Sequence, residues 1–245
     1  PGPAVARLGD VARQSGLAVS PDGTGGAWLM ADEHADASRF AAVVACSLDR
    51  KVCNTLNVCC IDGSRVADLV PALLQGLKRA VSPTGSFRIH VLQGSENYLP
   101  AGLFSSLVVT TRDGQVVEEP IATMLPYSSL STEWEWDEIP EISFVVVDGL
   151  DEAIRLFNQH SPRFVASLIS DNTTAQKYFF EAVRAPFIGN GFTRWADGQY
   201  ALDKPELGLS NWEHGRPLAR GAILSGSDMF SLRYRMEQVD LDIHR

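Results

Sequence analysis

The sequence ASRFAAVVACSLDRKVCNTLNVCCID, residues 37–62, places one cysteine between a predicted helix and a predicted strand. Its first half carries apolar residues at helical spacing, which form one helix face: Ala37, Phe40, Ala41, Val44 and Leu48. Its last part, residues 56–61, is a short apolar run that predicts a buried strand. Cys53 therefore lies at a helix-to-strand junction.

A cysteine at this junction lies at the end of a strand, where a ligand can reach it. Neighbouring backbone N–H groups favour the thiolate and can stabilise an oxyanion formed on a bound acyl group. Arg50 and Lys51 add positive charge, which also favours the thiolate. We predict that Cys53 is a nucleophile; the alternative is a small buried hydrophobic residue, which is the commoner role of cysteine.

Composition and charge narrow the class of protein. The 245 residues, 45% of them hydrophobic, suffice for one large or two small globular domains. A net charge of −9 without a basic run argues against nucleic acid as a partner. We expect no membrane span and no signal peptide, because no apolar run approaches the roughly 18 residues that cross a bilayer.

The four cysteines lack the spacing of a zinc site or of a disulfide framework. Cys59 and Cys60 are adjacent in a strand and should point to opposite faces. We interpret Cys46, Cys59 and Cys60 as packing residues in a protein of the reducing cytoplasm. The histidines have no partner at metal-ligand spacing, so no metal site is predicted.

The rest of the chain alternates between strand and helix patterns. Further strands are predicted at 25–30, 87–92, 106–110, 142–147 and 165–169. Further helices are predicted within 66–77, 150–157 and 172–183. We expect Pro71 to limit or bend the first of these helices near its start and Asp148 to cap the second. This alternation predicts an α/β fold with a largely parallel sheet flanked by helices.

The pattern changes from Pro186 onward. Residues up to Gly226 are rich in turn-forming types, and we interpret them as a long functional flap. Residues 230–236, FSLRYRM, alternate enough to predict an exposed or edge strand. Such a strand can complete the sheet of a partner, so we expect a homo-oligomer that assembles through it.

Five features, in chain order, resemble the C-terminal half of the γ-glutamyl phosphate reductases (glutamate-5-semialdehyde dehydrogenases), a branch of the aldehyde dehydrogenase superfamily. They are a nucleophile motif at 52–55, a strand-to-helix step at 148–154, a segment at 161–171, an Asn-x-x-Thr-Arg-Phe-x-Asp-Gly-like signature at 190–198, and a closing segment at 206–210 and 218–221. The chain departs from that family in segment 82–134, which matches poorly, and in lacking a Gly-x-Gly-x-x-Gly fingerprint between a strand and a helix.

The resemblance implies an aldehyde-dehydrogenase-like catalytic domain and an enzyme. It divides the chain into a remnant of a nucleotide-binding domain at 1–35, a catalytic α/β domain at 36–187, and a flap with an oligomerisation segment at 188–245. It implies NADPH-dependent reduction of γ-glutamyl phosphate to glutamate 5-semialdehyde, a step of proline biosynthesis, through a thioester on Cys53. NADP, or alternatively NAD, would bind mainly through a half absent from this chain, and without that half we expect the chain to be inactive.

The resemblance also implies further site residues. Substrate binding is expected of Asn54, Asn190, Thr193, Arg194 and Arg220. The two arginines suit carboxylate or phosphate groups, which a guanidinium can bind bidentately. Glu138 resembles the superfamily's glutamate near the nicotinamide ribose. From the residues alone, either arginine can equally form a surface salt bridge, and Glu138 can equally belong to a solvated acidic loop.

Two other functions stay open. The chain can be another aldehyde- or acyl-reducing dehydrogenase of the superfamily, acting on a different small-molecule acyl phosphate or aldehyde. It can also be a catalytically silent module that keeps the fold for assembly or binding. The reactivity of Cys53 distinguishes these functions, because ordinary thiol reactivity favours the silent module.

Overall fold

The computed structural model describes residues 2–17, 19, 24–81, 85–112, 114–196, 212–213, 216–217 and 235. Several sequence predictions fall outside this part of the chain. They are the substrate-binding role of Arg220, the closing segment at 206–210 and 218–221 and, apart from Arg235, the oligomerisation strand at 230–236.

The described residues form a parallel sheet and two small antiparallel pairs. In chain order the strands are β1 (Ala27–Ala31), β2 (Leu56–Asp62), β3 (Arg88–Leu92), β4 (Leu107–Arg112), β5 (Gln115–Pro120), β6 (Ala122–Leu125), β7 (Glu141–Val147), β8 (Val165–Ile169), β9 (Phe187–Gly189), β10 (Trp212–Glu213) and β11 (Arg216–Pro217). Seven of them pair in parallel in the order β6-β3-β7-β2-β1-β8-β9. The predicted α/β class with a parallel sheet is confirmed.

The described residues form six α-helices. In chain order they are α1 (Gly2–Gln14), α2 (Ala37–Cys46), α3 (Val66–Ala80), α4 (Gly102–Ser105), α5 (Leu150–His160) and α6 (Thr173–Ala182), with 3-10 turns at Gly63–Arg65, Glu96–Tyr98, Tyr127–Ser129 and Thr193–Trp195. α2 and α3 pack on one face, and α5 and α6 pack on the other. Two helices begin at side-chain caps, because Asp36 accepts the Arg39 N–H and Asn172 accepts two N–H groups of α6.

The strand β2 shows how the sequence fills both layers. Its side chains alternate, so that Cys59 joins the apolar cluster under α2 and α3 while Cys60 joins the cluster under α5. Both thiols are fully buried, and burial raises the pKa of each because the thiolate would lose its hydration. The prediction that these two cysteines point to opposite faces and serve packing is confirmed.

Three local predictions need correction. Cys46 is exposed on α2 and is not a packing residue. Pro71 does not limit α3, which runs from residue 66 to residue 80 through it, while a bend at Pro71 stays a prediction. Asp148 does not cap α5: the cap position is Gly149, with a φ of 86°, while the Asp148 N–H donates to the Glu152 carboxylate at 2.8 Å.

The stretch interpreted as a flap begins with ordered structure. β9 pairs in parallel with β8 and extends the sheet, and the turn Thr193–Trp195 follows it. The predicted strand at 106–110 also has a specific partner, because β4 forms an antiparallel hairpin with β5 outside the main sheet. The remainder of the predicted flap lies largely outside the described residues.

The division into segments 1–35, 36–187 and 188–245 stays a prediction. Within it, β1 of the first segment lies in the main sheet between β2 and β8 of the second. In the part of the chain that the structure describes, no helix is long and apolar enough to cross a membrane.

Gly76 allows α2 and α3 to approach closely. A Cβ atom added at Gly76 would lie 2.7 Å from the Ala41 carbonyl oxygen and 2.7 Å from Val44 Cβ. Neither atom belongs to the flexible end of a side chain, so the two helices would have to separate.

We therefore expect Gly76→Ala to lower the free energy of unfolding by about 1–3 kcal/mol, because overpacking outweighs the higher helix propensity of alanine. Urea unfolding followed by tryptophan fluorescence measures this change. Gly102→Ala is the matched control, because nothing lies within 4 Å of its added Cβ. Equal stability of Gly76→Ala and the unsubstituted chain would contradict the close packing.

Candidate active site

Cys53 lies in a loop at the amino end of β2. β2 pairs with β1 on one side and with β7 on the other, so the loops that enter these three strands meet at one end of the sheet. The Gly26 N–H donates to the Cys53 carbonyl oxygen at 2.7 Å, and the Ala27 N–H donates to the Thr55 carbonyl oxygen at 2.9 Å. These two bonds hold the cysteine loop against the start of β1.

Gly25 makes a close backbone approach to Cys53. A Cβ atom added at Gly25 would lie 2.7 Å from the Cys53 Cα and carbonyl oxygen, and 2.7 Å from Glu133 Oε1. Non-bonded carbon atoms pack at roughly 3.5–4.0 Å, and backbone atoms cannot rotate away. Residue 25 must therefore be glycine if Cys53 is to keep its position.

Cys53 differs from the other three cysteines in its exposure. It is half-buried, whereas Cys46 is exposed and Cys59 and Cys60 are buried. Cys53 packs with Trp195 against a small apolar cluster made of Ala27, Phe164, Val165, Phe187 and Ala196. The surroundings of Cys53 therefore fix its position and still leave the residue partly open to solvent.

Hydrogen bonds join the Cys53 loop to the turn Thr193–Trp195. Asn54 Nδ2 donates to the Ala196 carbonyl oxygen at 2.6 Å, and Arg194 Nη1 donates to Asn54 Oδ1. Arg194 Nε also donates to Asp49 Oδ1 at 2.8 Å. The guanidinium is therefore already paired, and it orients the side chain of Asn54 next to Cys53.

The two other predicted substrate residues of this region have different environments. Thr193 is fully buried, its N–H donates to Ser47 Oγ at 2.9 Å, and its hydroxyl has no hydrogen-bond partner among the described residues. Asn190 is exposed, and its carbonyl oxygen accepts Arg39 Nη2 at 2.7 Å. The substrate-binding roles of these residues stay predictions.

Glu138, the predicted cofactor residue, lies beside the β4–β5 hairpin. Its side chain is exposed and lines a cavity of about 560 Å³ between the hairpin and the acidic loop that precedes β7. None of the other residues that line this cavity was predicted for the site. The structure therefore groups Glu138 with the hairpin, and its cofactor role stays a prediction.

Glu133 is a carboxylate that the structure places next to Cys53 and that the sequence did not single out. Its Oε2 accepts the Gly25 N–H at 2.7 Å, and its Oε1 lies 2.7 Å from Lys51 Nζ. Lys51 Nζ is also 3.7 Å from Glu135. The positive charge of Lys51, which we expected to favour the thiolate of Cys53, is thus compensated by carboxylates.

The described residues hold no cluster of three or more His, Cys, Asp or Glu side chains that could bind a metal ion. The chemistry-bearing groups next to Cys53 are instead the amide of Asn54, the guanidinium of Arg194 and the ion pair of Lys51 with Glu133.

Comparison with known proteins finds sequence similarity to γ-glutamyl phosphate reductases. No protein-family model matches the chain. γ-Glutamyl phosphate reductase 1 of Bacillus licheniformis is 26% identical over 224 residues, which cover 88% of this chain and 46% of that protein. The chain is thus similar in sequence to γ-glutamyl phosphate reductases. The reductase of Desulfitobacterium hafniense is 35% identical over 98 residues, which cover 38% of this chain and 23% of that protein.

The resemblance seen in the sequence is confirmed, and the matched proteins are enzymes of the expected type. The chain spans about half the length of its relative in Bacillus licheniformis, and less of the one in Desulfitobacterium hafniense. Its match to that first relative covers most of this chain.

Solved structures share the fold. The crystal structure of γ-glutamyl phosphate reductase from Thermotoga maritima has a TM-score of 0.63 at 20% identity, covering 83% of this chain and 44% of that one. The crystal structure of an acetylating aldehyde dehydrogenase from Geobacillus thermoglucosidasius has a TM-score of 0.59 at 14% identity. The match covers 97% of this chain and 56% of that one. The predicted aldehyde-dehydrogenase-like fold is confirmed.

We expect Asn54→Ala to lower the free energy of unfolding by about 1–3 kcal/mol, because the Ala196 carbonyl oxygen and the Arg194 guanidinium each lose a buried partner. Guanidinium chloride unfolding measures the change. Asn190→Ala removes an exposed amide of the same type and should change stability by less than about 0.5 kcal/mol. Equal effects of the two substitutions would show that Asn54 does not join the loop to the turn.

Proposed function

We propose that this chain forms the catalytic half of an enzyme that reduces γ-glutamyl phosphate to glutamate 5-semialdehyde with NADPH. The observation that carries this proposal is the half-buried Cys53, held by the loop before β1 and joined through Asn54 to the turn at Thr193–Trp195. Support also comes from the Bacillus licheniformis relative, which is named for this substrate and aligns with most of the chain.

Cys53 would act as the nucleophile. Its thiolate attacks the acyl carbon of the substrate, the bond to the phosphate oxygen breaks, and phosphate leaves with the bonding electron pair. Sulfur suits this step because it is nucleophilic near neutral pH, and it also leaves readily later. The product is a thioester on Cys53. Hydride addition to the thioester carbon gives a thiohemiacetal, whose collapse releases the aldehyde and restores the thiolate.

A nicotinamide cofactor would supply the hydride for this reduction. The described residues fit such a group in part: Glu138 offers an exposed carboxylate for sugar hydroxyl groups, in a cavity that Thr110 and Thr111 also line. No strand-to-helix glycine fingerprint accompanies it in the sequence. We propose that NADP, or NAD, binds mainly through a nucleotide-binding half absent from this chain.

The remaining site residues would bind the substrate. Asn54, Asn190, Thr193, Arg194 and Arg220 are the proposed contacts. The buried hydroxyl of Thr193 has no hydrogen-bond partner among the described residues, which suits it to accept or donate a bond to a ligand. We also propose a cytoplasmic protein that assembles as a homo-oligomer through residues 230–236.

Two alternatives compete with this proposal. Another acyl phosphate or aldehyde would use the same thiol, because nothing in the Cys53 chemistry specifies the γ-glutamyl group. A catalytically silent module that keeps the fold for assembly or binding is the other alternative, and it predicts ordinary thiol reactivity at Cys53.

Acylation of Cys53 tests the proposal without the reductive step. The chain is incubated with γ-glutamyl phosphate, generated in the mixture by an ATP-dependent glutamate kinase, and separately with acetyl phosphate. Peptide mass spectrometry should find a hydroxylamine-sensitive γ-glutamyl group on Cys53, formed at least about tenfold faster than on Cys46, because Cys53 lies in a site built to bind acyl groups.

Cys53→Ser is the control and should lose the hydroxylamine-sensitive adduct at that position. Acetyl transfer as fast as γ-glutamyl transfer would favour a different acyl substrate. Acylation of Cys53 no faster than that of the exposed Cys46, with both reagents, would contradict a catalytic role and favour the silent module.

A further inference from the structure

We propose that Glu133 is a positioning residue for Cys53. Together with Lys51 it forms a clamp that holds the loop before β1 against the Cys53 loop before β2. Its negative charge also balances the positive charge of Lys51 near the thiol. This inference rests on the proposed role of Cys53 as the nucleophile. It assigns a function to a carboxylate of the acidic loop before β7, which the sequence pattern did not single out.

The clamp joins the loops that precede three neighbouring strands. Glu133 comes from the loop before β7, and its two oxygens bind the Gly25 N–H before β1 and Lys51 Nζ before β2. Gly25 lies close to both Glu133 and Cys53, because its added Cβ would be 2.7 Å from atoms of each. The Gly26 N–H then bonds the Cys53 carbonyl oxygen. Movement of Glu133 would therefore release the backbone on which Cys53 rests.

The side-chain amide of Asn57 binds the residues on both sides of Glu133. Asn57 Nδ2 donates to the Thr132 carbonyl oxygen at 2.8 Å, and Asn57 Oδ1 accepts the Trp134 N–H at 2.9 Å. Asn57 is buried in β2, so the residues before and after Glu133 are tied to the strand that follows Cys53. A carboxylate on a freely moving loop would have no such support.

Trp134 adds a second anchor. Its indole N–H donates to Ser143 Oγ at 2.8 Å in β7, and its ring stacks on His90 with centroids 3.4 Å apart. Burial lowers the pKa of His90, although its contact with Glu141 at 2.8 Å opposes that effect. Glu141 is paired in turn with Arg88 at 2.9 Å. The clamp therefore rests on buried side chains of β3 and β7.

The ion pair within the clamp is largely shielded from water. The side chains of Lys51 and Glu133 are only 11% and 16% exposed, so their charges act on a nearby thiolate with little screening. The cation favours the thiolate and the carboxylate disfavours it. Other charged groups around the loop are Glu135 beside Lys51, the pair of Asp49 with Arg194, and Arg50.

The clamp predicts that Lys51→Met and Glu133→Gln shift the pH dependence of Cys53 alkylation in opposite directions. The rate of alkylation by iodoacetamide is followed from pH 5 to 10 on the complete chain, with peptide mapping to resolve Cys53 from the other cysteines. Lys51→Met should raise the pH midpoint of Cys53 alkylation by roughly half a unit or more, because an unpaired carboxylate remains. Glu133→Gln should lower it by a similar amount, because an unpaired cation remains. The double variant should return close to the original midpoint.

Three controls separate positioning from general damage to the fold. Lys51→Arg keeps the cation and should keep the midpoint, whereas Lys51→Gln removes the cation and replaces Lys51→Met if that variant does not fold. Asp68→Asn breaks a more exposed ion pair with Arg65 beyond the opposite end of β2 and should leave the midpoint of Cys53 unchanged. The midpoint of the exposed Cys46 should be the same in every variant.

Shifts of equal sign, or no shift, in folded Lys51→Met and Glu133→Gln would overturn the inference. This outcome is distinct from failure of the proposed function, in which Cys53 does not form an acyl adduct in the unsubstituted chain. Opposite shifts together with absent acylation would keep the clamp and reject the reductase.

Discussion

The backbone contact between Gly25 and Cys53 is the constraint on which the rest of the site depends. Parallel pairing of β1 with β2 brings the loops before both strands to one end of the sheet, and the hydrogen bond from Gly26 to Cys53 closes the gap between them. A side chain at residue 25 would push the loops apart, because its Cβ would meet backbone atoms at 2.7 Å. The position of Cys53 is therefore set by the pairing of β1 with β2 and by the lack of a side chain at Gly25.

The polar residues around Cys53 are paired with one another and hold the loops of the proposed site in place. The guanidinium of Arg194 pairs with Asp49 and orients Asn54, so it stabilises the joined loop and turn before any ligand binds. In the same way Glu133 and Lys51 pair with each other and with the backbone of Gly25. Preorganised side chains of this kind are what a reactive thiol requires, since a small displacement of a catalytic group costs much of its rate.

Much of this fold could be predicted from the sequence because apolar periodicity decides it. The helix spacing of α2 and the apolar run of β2 also predict correctly that Cys53 lies in the junction between them. Prediction failed where periodicity is absent. Glu133, Glu135 and Glu138 lie in one acidic loop, and the bond from the Gly25 N–H together with the 2.7 Å contact of Lys51 distinguishes Glu133 from the other two. β9 has just three residues within a turn-rich stretch, so its strand conformation depends on pairing with β8.

The central claim is that Cys53 is a presented and reactive thiol, and the rates at which the four cysteines of the unmodified chain react at pH 7 test it most directly. Limited iodoacetamide labelling with peptide mass spectrometry should modify Cys53 first, Cys46 more slowly, and the buried Cys59 and Cys60 only after unfolding. Labelling of Cys53 that is slower than that of Cys46, or that requires denaturant, would contradict the account.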